Sequence, residues 1–575
     1  MNYRDVYEAW LASPALSEAE RAELEAIQGD EKEIEGRFFA PLEFGTAGLR
    51  GTMCTGLHNM NIHVVRHATQ AFAEVILEEG PQAAARGVAV CYDCRNHSQE
   101  FARETACVMA GNGIPVRIFE SLRPTPELSF AVREYGCIAG VNVTASHNPK
   151  EYNGYKVYWQ DGAQLPPQHA GAVAKKMAEL DLFTSIRRMD YDEAVKAGII
   201  TVMGSETDEK FLAQVMGQAI DREAVARVAG SFKMVYTPFH GTGYLLIPEA
   251  LKRLGMKHVF CVPEQMVIDG DFPTVASPNP ENPEGFALAV ELARQVGADF
   301  ILGSDPDADR VGIMVRTAGG DYVVISGNQT GVLLLDYLIG AKRRTGTMPE
   351  RPVALKTIVT TEMARKVAEV NGLQCYDTFT GFKFLAEKKD ELESSGAGKV
   401  IFSYEESYGY MLGDYVRDKD AVSASVELTE MAAWYASQGM TLYDALQALF
   451  KKYGYYGERT MNLVMPGLDG LKKMADLMAG LREQPPAEIA GVAVKQQKDY
   501  KDGSVVETAT GARSQMELTG SNVLRYEMAD GTSLIVRPSG TEPKVKVYIL
   551  ANGADKEECD GKVAKYAAWA ESLKD

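Results

Sequence analysis

Three aspartates, Asp305, Asp307 and Asp309, occupy alternate positions in ADFILGSDPDADRVGIMV, directly after the apolar run from Phe300 to Gly303. Three hard carboxylate donors on one short loop suit Mg2+, which leaves its remaining positions to water or phosphate oxygens. An EF-hand needs glycine at the sixth loop position and glutamate at the twelfth. Arg310 and Arg316 stand there instead, which argues against calcium storage. A solvated acidic turn is the plainer reading, but such turns seldom follow a buried strand and end in an arginine directed back at the carboxylates. A second suggestive stretch is GVNVTASHNPKEYNGYKVY, Gly140 to Tyr158. A buried strand over 137–144 leads into Ala145-Ser146-His147-Asn148-Pro149, and Pro149 pushes Asn148 away from helical angles. Ser146 therefore stands at a strand end, where α/β sheets tend to place their sites. TASHN is not the G-x-S-x-G of a hydrolase elbow. Lys156 follows an expected Asn153-Gly154 turn, on a strand running back beside the loop, so its ammonium can reach the serine. Taken alone, the stretch is also that of an ordinary turn serine with a capping histidine.

Two further loops invite a chemical reading. In VRPSGTEPKVKV, Arg537 ends a strand and Ser539, Gly540 and Thr541 follow, bringing a guanidinium fork, two hydroxyls and glycine-permitted backbone N–H groups together. That combination fits a phosphate monoester. No G-x-x-x-x-G-K-[ST] occurs in the chain, so this is not a P-loop. In KVIFSYEESYGYMLGDYVRDKDA, an apolar strand delivers Glu405, Glu406 and Ser407. Adjacent residues on an extended chain face opposite ways. Glu405 and Glu406 are thus no glycosidase pair, whereas Glu405 and Ser407 share a side and can hydrogen-bond neighbouring sugar hydroxyls. Lys419 lies between Asp418 and Asp420, in a segment that alone reads as a solvated charge run. Cys91 and Cys94 lack the second C-x-x-C of a four-ligand zinc site, so strand-end packing is expected.

The elements that must hold these loops repeat. GVAVCYDCRNHSQEFARETACVMAGNG, FKMVYTPFHGTGYLLIPEALKRLG and RPVALKTIVTTEMARKVAEVNG each run from a β-branched strand through a polar turn to a helical period and a terminal glycine. Their spacing suggests three related α/β domains. From Ser521 the pattern changes to strand, Asp-Gly turn, strand, polar loop, strand and closing helix, a two-layer α+β domain. We place domains at 1–205, 206–320, 321–455 and 456–575. The 575 residues fit the three or four domains expected at about 150 residues each. The formal net charge of −19 opposes nucleic-acid or anionic-membrane partners, which need a basic field, but leaves small anionic substrates open. The charged N-terminal stretch reads as a surface helix rather than a leader peptide. GVLLLDYLIG, the best candidate span, is short and interrupted by Asp336. Eight scattered cysteines read as reduced thiols, so a cytoplasmic location is expected.

As an ordered set, TASHNP, DPDADR, EESYG and RPSGTEP resemble the signature loops of the α-phosphohexomutase superfamily over nearly the whole chain, and GTAGLRG and TGFK resemble its two further substrate loops. The resemblance implies three α/β domains with mixed sheets and a mobile fourth domain around a central cleft. It implies that Ser146 carries a phosphoryl group, with Mg2+ held by Asp305, Asp307, Asp309 and a phosphoryl oxygen. Lys156 would be the general base, a lysine able to shed its charge in a crowded cationic site. Lys419 would serve as partner acid or charge stabiliser, with His147 and Arg310 around the transferring group. Arg50, Thr380, Gly381, Glu405, Ser407, Arg537, Ser539, Gly540 and Thr541 would bind substrate. EESYG is closest to the EESFG type of the glucose-specific members, with Tyr408 in place of phenylalanine. The implied reaction is interconversion of glucose 1-phosphate and glucose 6-phosphate through glucose 1,6-bisphosphate. Pentose or mannose phosphate mutases, or a glucose-1,6-bisphosphate synthase, are the alternatives within the superfamily. A Mg2+-dependent sugar phosphatase is the alternative outside it. Sugar phosphates are the only partners implied.

Overall fold

The computed structural model describes residues 2–45, 47–465, 470–539 and 544–574. By its contacts the chain divides into two compact units. One joins Met1–Ile325 to Tyr408–Thr441; the other joins Ser326–Ser407 to Leu442–Asp575.

In the first unit, β1 (Leu49–Thr52), β2 (Val88–Tyr92), β3 (Val116–Phe119), β4 (Ala139–Val143), β5 (Tyr152–Trp159) and β6 (Ile200–Met203) form a mixed sheet in the order β1-β5-β4-β2-β3-β6. Strands β2 and β4 are parallel neighbours buried along their whole length, as expected where helices cover both faces. Their C-terminal ends therefore open side by side. A second mixed sheet, ordered β11-β10-β9-β7-β8, contains β7 (Met234–Thr237), β8 (Val259–Cys261), β9 (Phe300–Ser304), β10 (Val311–Arg316) and β11 (Tyr322–Ile325). Here β9 and β10 are antiparallel, and the connection between them is the aspartate loop. The segment 408–441 belongs to this unit through the helix Ala421–Ser437, buried on nearly all sides and capped by Asp420.

In the second unit, β12 (Pro352–Thr357) pairs in parallel with β13 (Gln374–Thr378) and β14 (Lys399–Glu405). After the short β15 (Gly409–Met411), which returns to the first unit, the C-terminal sheet begins at β16 (Tyr455–Val464). It continues with β17 (Glu488–Ile489), β18 (Val492–Asp499), β19 (Ser504–Glu507), β20 (Arg513–Gln515), β21 (Leu524–Met528), β22 (Ser533–Pro538) and β23 (Lys544–Gly553), in the order β16-β23-β22-β21-β18-β19-β20, with β17 on β18. The helix Lys556–Ser572 closes the chain. Within this unit, Ile358, Val359 and Phe379 from the α/β part share an apolar cluster with Tyr500, Ile535 and Tyr548 from the C-terminal sheet. Buried Arg525 on β21 also reaches Glu362 at 3.0 Å and donates to the carbonyl of Ile358.

The α/β class and the strand-turn-helix repeats agree with the sequence: β2, β7 and β12 lead into the helices Ser98–Gly111, Gly243–Leu254 and Glu362–Val370. Two local readings differ. The N-terminal stretch over residues 1–27 is two helices, Tyr3–Leu11 and Glu18–Ala26, rather than one surface helix, and a third, Glu31–Phe38, follows it. Ser17 starts the second with a capping box, and Tyr7 and Trp10 are buried against Phe38. Asn153-Gly154 is not a turn either, because β5 begins at Tyr152. Gly154 is needed there for close approach: a Cβ would lie 2.5 Å from the carbonyl oxygen of Thr144. No helix among the described residues is long and apolar enough to cross a membrane.

Candidate active site

Ser146 follows the buried end of β4, where Thr144 leaves the strand still bonded to Gly154. Its φ of 54° lies in the left-handed region, costing a non-glycine residue about 1 kcal/mol or more. That conformation turns the hydroxyl toward the aspartate loop: Oγ is 3.0 Å from Asp305 Oδ2 and 3.2 Å from His147 Nδ1. Burial and the neighbouring Arg310 and Arg50 guanidinium groups hold the His147 imidazole well below its usual pKa, so the ring is neutral. Arg50, on β1, donates to Asn148 Oδ1 at 3.2 Å and so flanks the same loop.

The aspartate loop links Ser304 to Val311, and Ala308 takes a φ of 49° at its tip. Asp305, Asp307 and Asp309 are all buried, and one oxygen from each lies within 4.8 Å of the others. Asp305 Oδ1 accepts the backbone N–H groups of Asp309 (3.1 Å) and Arg310 (3.0 Å). Asp307 Oδ2 accepts from Lys156 Nζ at 2.6 Å and from the Thr125 hydroxyl at 2.7 Å. Lys156 Nζ is also 3.2 Å from Asp309 Oδ2, and Lys419 Nζ lies 3.1 Å from that same oxygen. Arg310 Nε stands 3.9 Å from Asp309 Oδ1. Burial and the two neighbouring carboxylates push Asp305 well above the ordinary carboxylate range. Burial acts the same way on Asp307, but the Lys156 ammonium and the bonds from Lys156 and Thr125 outweigh it and hold the group low.

A divalent cation fits this donor set. Asp307 Oδ1 and Asp309 Oδ1 are buried oxygens with no hydrogen-bond partner among the described residues, and leaving such atoms unmatched is costly. Three carboxylates round one point are a hard-oxygen site.

Lys156 shares Asp309 Oδ2 with the Lys419 ammonium, and carboxylates stand between the two cations. Burial alone would lower the pKa of Lys156, but Asp307 and Asp309 together raise it, so this ring holds the ammonium charged. The Arg417–Asp420 segment is buried, not a solvated charge run. Asp418 accepts from Tyr158 Oη at 2.8 Å and stands 3.3 Å from Lys419 Nζ, orienting that ammonium toward Asp309.

The second unit gathers the other candidates. Glu405, at the end of β14, accepts the Gly381 N–H at 2.6 Å, and Arg537, near the end of β22, donates to the Thr380 hydroxyl. Glu406 accepts from Thr360 Oγ1 at 3.1 Å. Because β14 stops at Glu405 and residues 406–408 form a turn, the expected common face of Glu405 and Ser407 does not exist; half-buried Ser407 leaves on the turn. Ser539 donates its N–H to the carbonyl of Lys544 at 2.8 Å. Gly540 and Thr541 lie outside the described residues.

Sequence reasoning missed Asp93, Arg95, Thr125, Thr144, Tyr158 and Asp418, all buried and bonded to the residues above. A signal existed for two of them. YDCRNHS follows β2 just as TASHN follows β4, and parallel neighbours place such loops together.

Four profiles described as phosphoglucomutase/phosphomannomutase match in chain order: alpha/beta/alpha domain I over residues 41–183, domain II over 210–320, domain III over 326–453 and the C-terminal domain over 473–564. The phosphoglucomutase of Staphylococcus aureus (strain MRSA252) is 34% identical over 544 residues, covering 93% of this chain and 94% of that protein. That of Staphylococcus saprophyticus is 32% identical over 519 residues, covering 90% and 92%. Among solved structures, the open form of the Paramecium phosphoglucomutase pp63/parafusin shares the fold, with a TM-score of 0.67, 18% identity and coverage of 93% and 95%. An Aspergillus fumigatus N-acetylphosphoglucosamine mutase, solved with GlcNAc-6P and magnesium, has a TM-score of 0.51, 15% identity and coverage of 98% and 100%.

Proposed function

This chain belongs to the phosphoglucomutase/phosphomannomutase family, and on that premise we propose that it interconverts glucose 1-phosphate and glucose 6-phosphate by way of phosphoserine at position 146. The observation carrying this reading is the placement of Ser146 Oγ 3.0 Å from Asp305, at the edge of a buried carboxylate cluster bounded by Lys156 and Lys419. Among the described residues, the one imidazole hydrogen-bonded to Ser146 Oγ is that of His147, neutral and adjacent in sequence, and it forms no histidine–carboxylate relay there. The hydroxyl is built to carry a phosphoryl group rather than to attack an acyl carbon.

Asp305, Asp307 and Asp309, with an oxygen of the Ser146 phosphoryl group, would hold Mg2+, whose chemistry when bound is to neutralise charge on the group in transfer. The chain's own residues do the rest. Phosphoserine donates to the free hydroxyl of the sugar monophosphate, and glucose 1,6-bisphosphate forms; the other phosphate then returns to Ser146. Lys156 takes up the proton of the attacking hydroxyl as the neutral amine, so the ammonium held by Asp307 and Asp309 must first give up a proton to solvent. Lys419, oriented by Asp418, stabilises charge on the transferring group, as do Arg310 and Arg50 beside the Ser146 loop. In the second unit, Glu405, pinned by Gly381 N–H, and Ser407 take sugar hydroxyls, while Arg537, Ser539, Gly540 and Thr541 take the idle phosphate. The 34% identity to a phosphoglucomutase supports glucose as the sugar.

Incubation with glucose 1-phosphate and Mg2+ is expected to give glucose 6-phosphate without stoichiometric inorganic phosphate, faster than mannose 1-phosphate or ribose 1-phosphate is isomerised. A coupled dehydrogenase assay run beside a phosphate-release assay separates the outcomes. Inorganic phosphate as the main product would make the protein a phosphatase, and preference for another sugar would move it within the family.

A further inference from the structure

We infer that Arg95, with Asp93 and Thr144, is a positioning residue that fixes the phosphoryl-accepting geometry of Ser146. The side chains of Arg95 and Asp93 are both 0% exposed, and the Arg95 guanidinium lies over the Phe272 ring. Nη2 donates to the carbonyls of Ser146 and Asn148, each at 2.6 Å. Nη1 donates to the carbonyls of Pro149 (2.8 Å) and Tyr152 (3.0 Å), and Nε to Asp93 Oδ2 (3.2 Å). A guanidinium has five N–H groups, and these five acceptors occupy them all. None remains to bind a phosphate, so Arg95 acts through the loop and not on the substrate.

The other half of the device fixes the amide of Ser146. Its N–H donates to Thr144 Oγ1 at 2.8 Å, and that hydroxyl donates to Asp93 Oδ2 at 2.6 Å. Asp93 Oδ1 is held by the Ser98 hydroxyl at 2.7 Å and the Arg95 N–H at 2.9 Å. The two peptide groups that flank the Ser146 Cα are thus tied to one buried ion pair, which keeps the residue in its left-handed conformation. Without the clamp the backbone relaxes toward ordinary φ values and carries Oγ away from Asp305. Proper placement of reacting atoms is worth large factors in rate, and a misplacement of about 1 Å can cost about 100-fold.

The inference rests on the phosphoserine reading, and the reaction to test is the half-step that loads the serine. Transfer from glucose 1,6-bisphosphate forms the Ser146 Oγ–P bond, breaks a sugar O–P bond and passes the serine proton to the departing sugar oxygen. Dephosphorylated parent, Arg95→Lys, Thr144→Val and Thr144→Ser are mixed with the bisphosphate, and the phosphorylated fraction is followed by rapid-quench intact mass. Arg95→Lys and Thr144→Val are expected to load Ser146 about 10- to 100-fold more slowly, with kcat falling in proportion and KM nearly unchanged. Thr144→Ser, which keeps the hydroxyl, is expected to restore the parental rate. Should Arg95→Lys fail to fold, the Thr144 pair carries the test alone. Loading of Thr144→Val at the parental rate, or a defect confined to KM, overturns the inference. A parent protein that never takes phosphate on Ser146 instead overturns the phosphoserine reading and the inference with it.

Discussion

Ser146→Ala is expected to lower kcat for glucose 1-phosphate isomerisation by at least about 10^4-fold, the scale seen when a covalent nucleophile is removed, and to abolish an added mass of about 80 Da from a single phosphoryl group. The alanine keeps the fold: it deletes one oxygen, and Asp305 retains the backbone N–H groups of Asp309 and Arg310. Alanine pays the same left-handed backbone cost as serine, so thermal stability should barely move. Sugar-phosphate affinity should also persist, because Arg537 and Glu405 lie elsewhere in the chain. Loss of turnover together with retained binding separates a phosphoryl carrier from a structural serine. Mass spectrometry and isothermal titration of the same preparation read both.

Asp307→Asn is the second large effect. The substitution keeps shape but removes the charge that anchors Lys156 at 2.6 Å and exchanges a hard anionic donor for a weak neutral one. A cation contributing several kcal/mol of charge stabilisation predicts a fall in kcat/KM of about 100-fold or more. A readout independent of turnover is the binding of Mn2+ alone, followed by electron paramagnetic resonance, which should weaken by at least about 10-fold. Parental Mn2+ affinity in the variant would remove Asp307 from the metal site whatever happened to the rate.

Much of this site could be read from the sequence because its parts are short loops following apolar strands. DPDADR after Phe300–Gly303 and TASHN after β4 follow a rule of α/β sheets, that strand ends carry the chemistry. Illegible were the contacts made across long sequence separations. Nothing local in RDKD says that Lys419 meets Asp309; alternating charges look solvated until the buried helix Ala421–Ser437 draws them into the first unit. Pairwise electrostatics were hidden for the same reason. Lys156 has no acidic neighbour close in sequence, and its charge is settled by two carboxylates 151 and 153 residues away. The Asn153-Gly154 misreading came from a strong turn dipeptide overridden by strand pairing, since Asn153 instead caps inward to Ser98 and Asn96. The Ser407 misreading assumed that extension continues past Glu405, whereas Tyr408 at φ 65° ends it.

The claim on which the account depends is that the phosphoryl group held by Ser146 goes to a sugar. Protein carrying a radiolabelled phosphoryl group on Ser146 and mixed with one equivalent of unlabelled glucose 1-phosphate answers it in a single turnover. Label appearing in glucose 1,6-bisphosphate and glucose 6-phosphate at the rate of turnover is the result predicted. Label remaining on the serine while isomerisation proceeds, or released as inorganic phosphate, contradicts it.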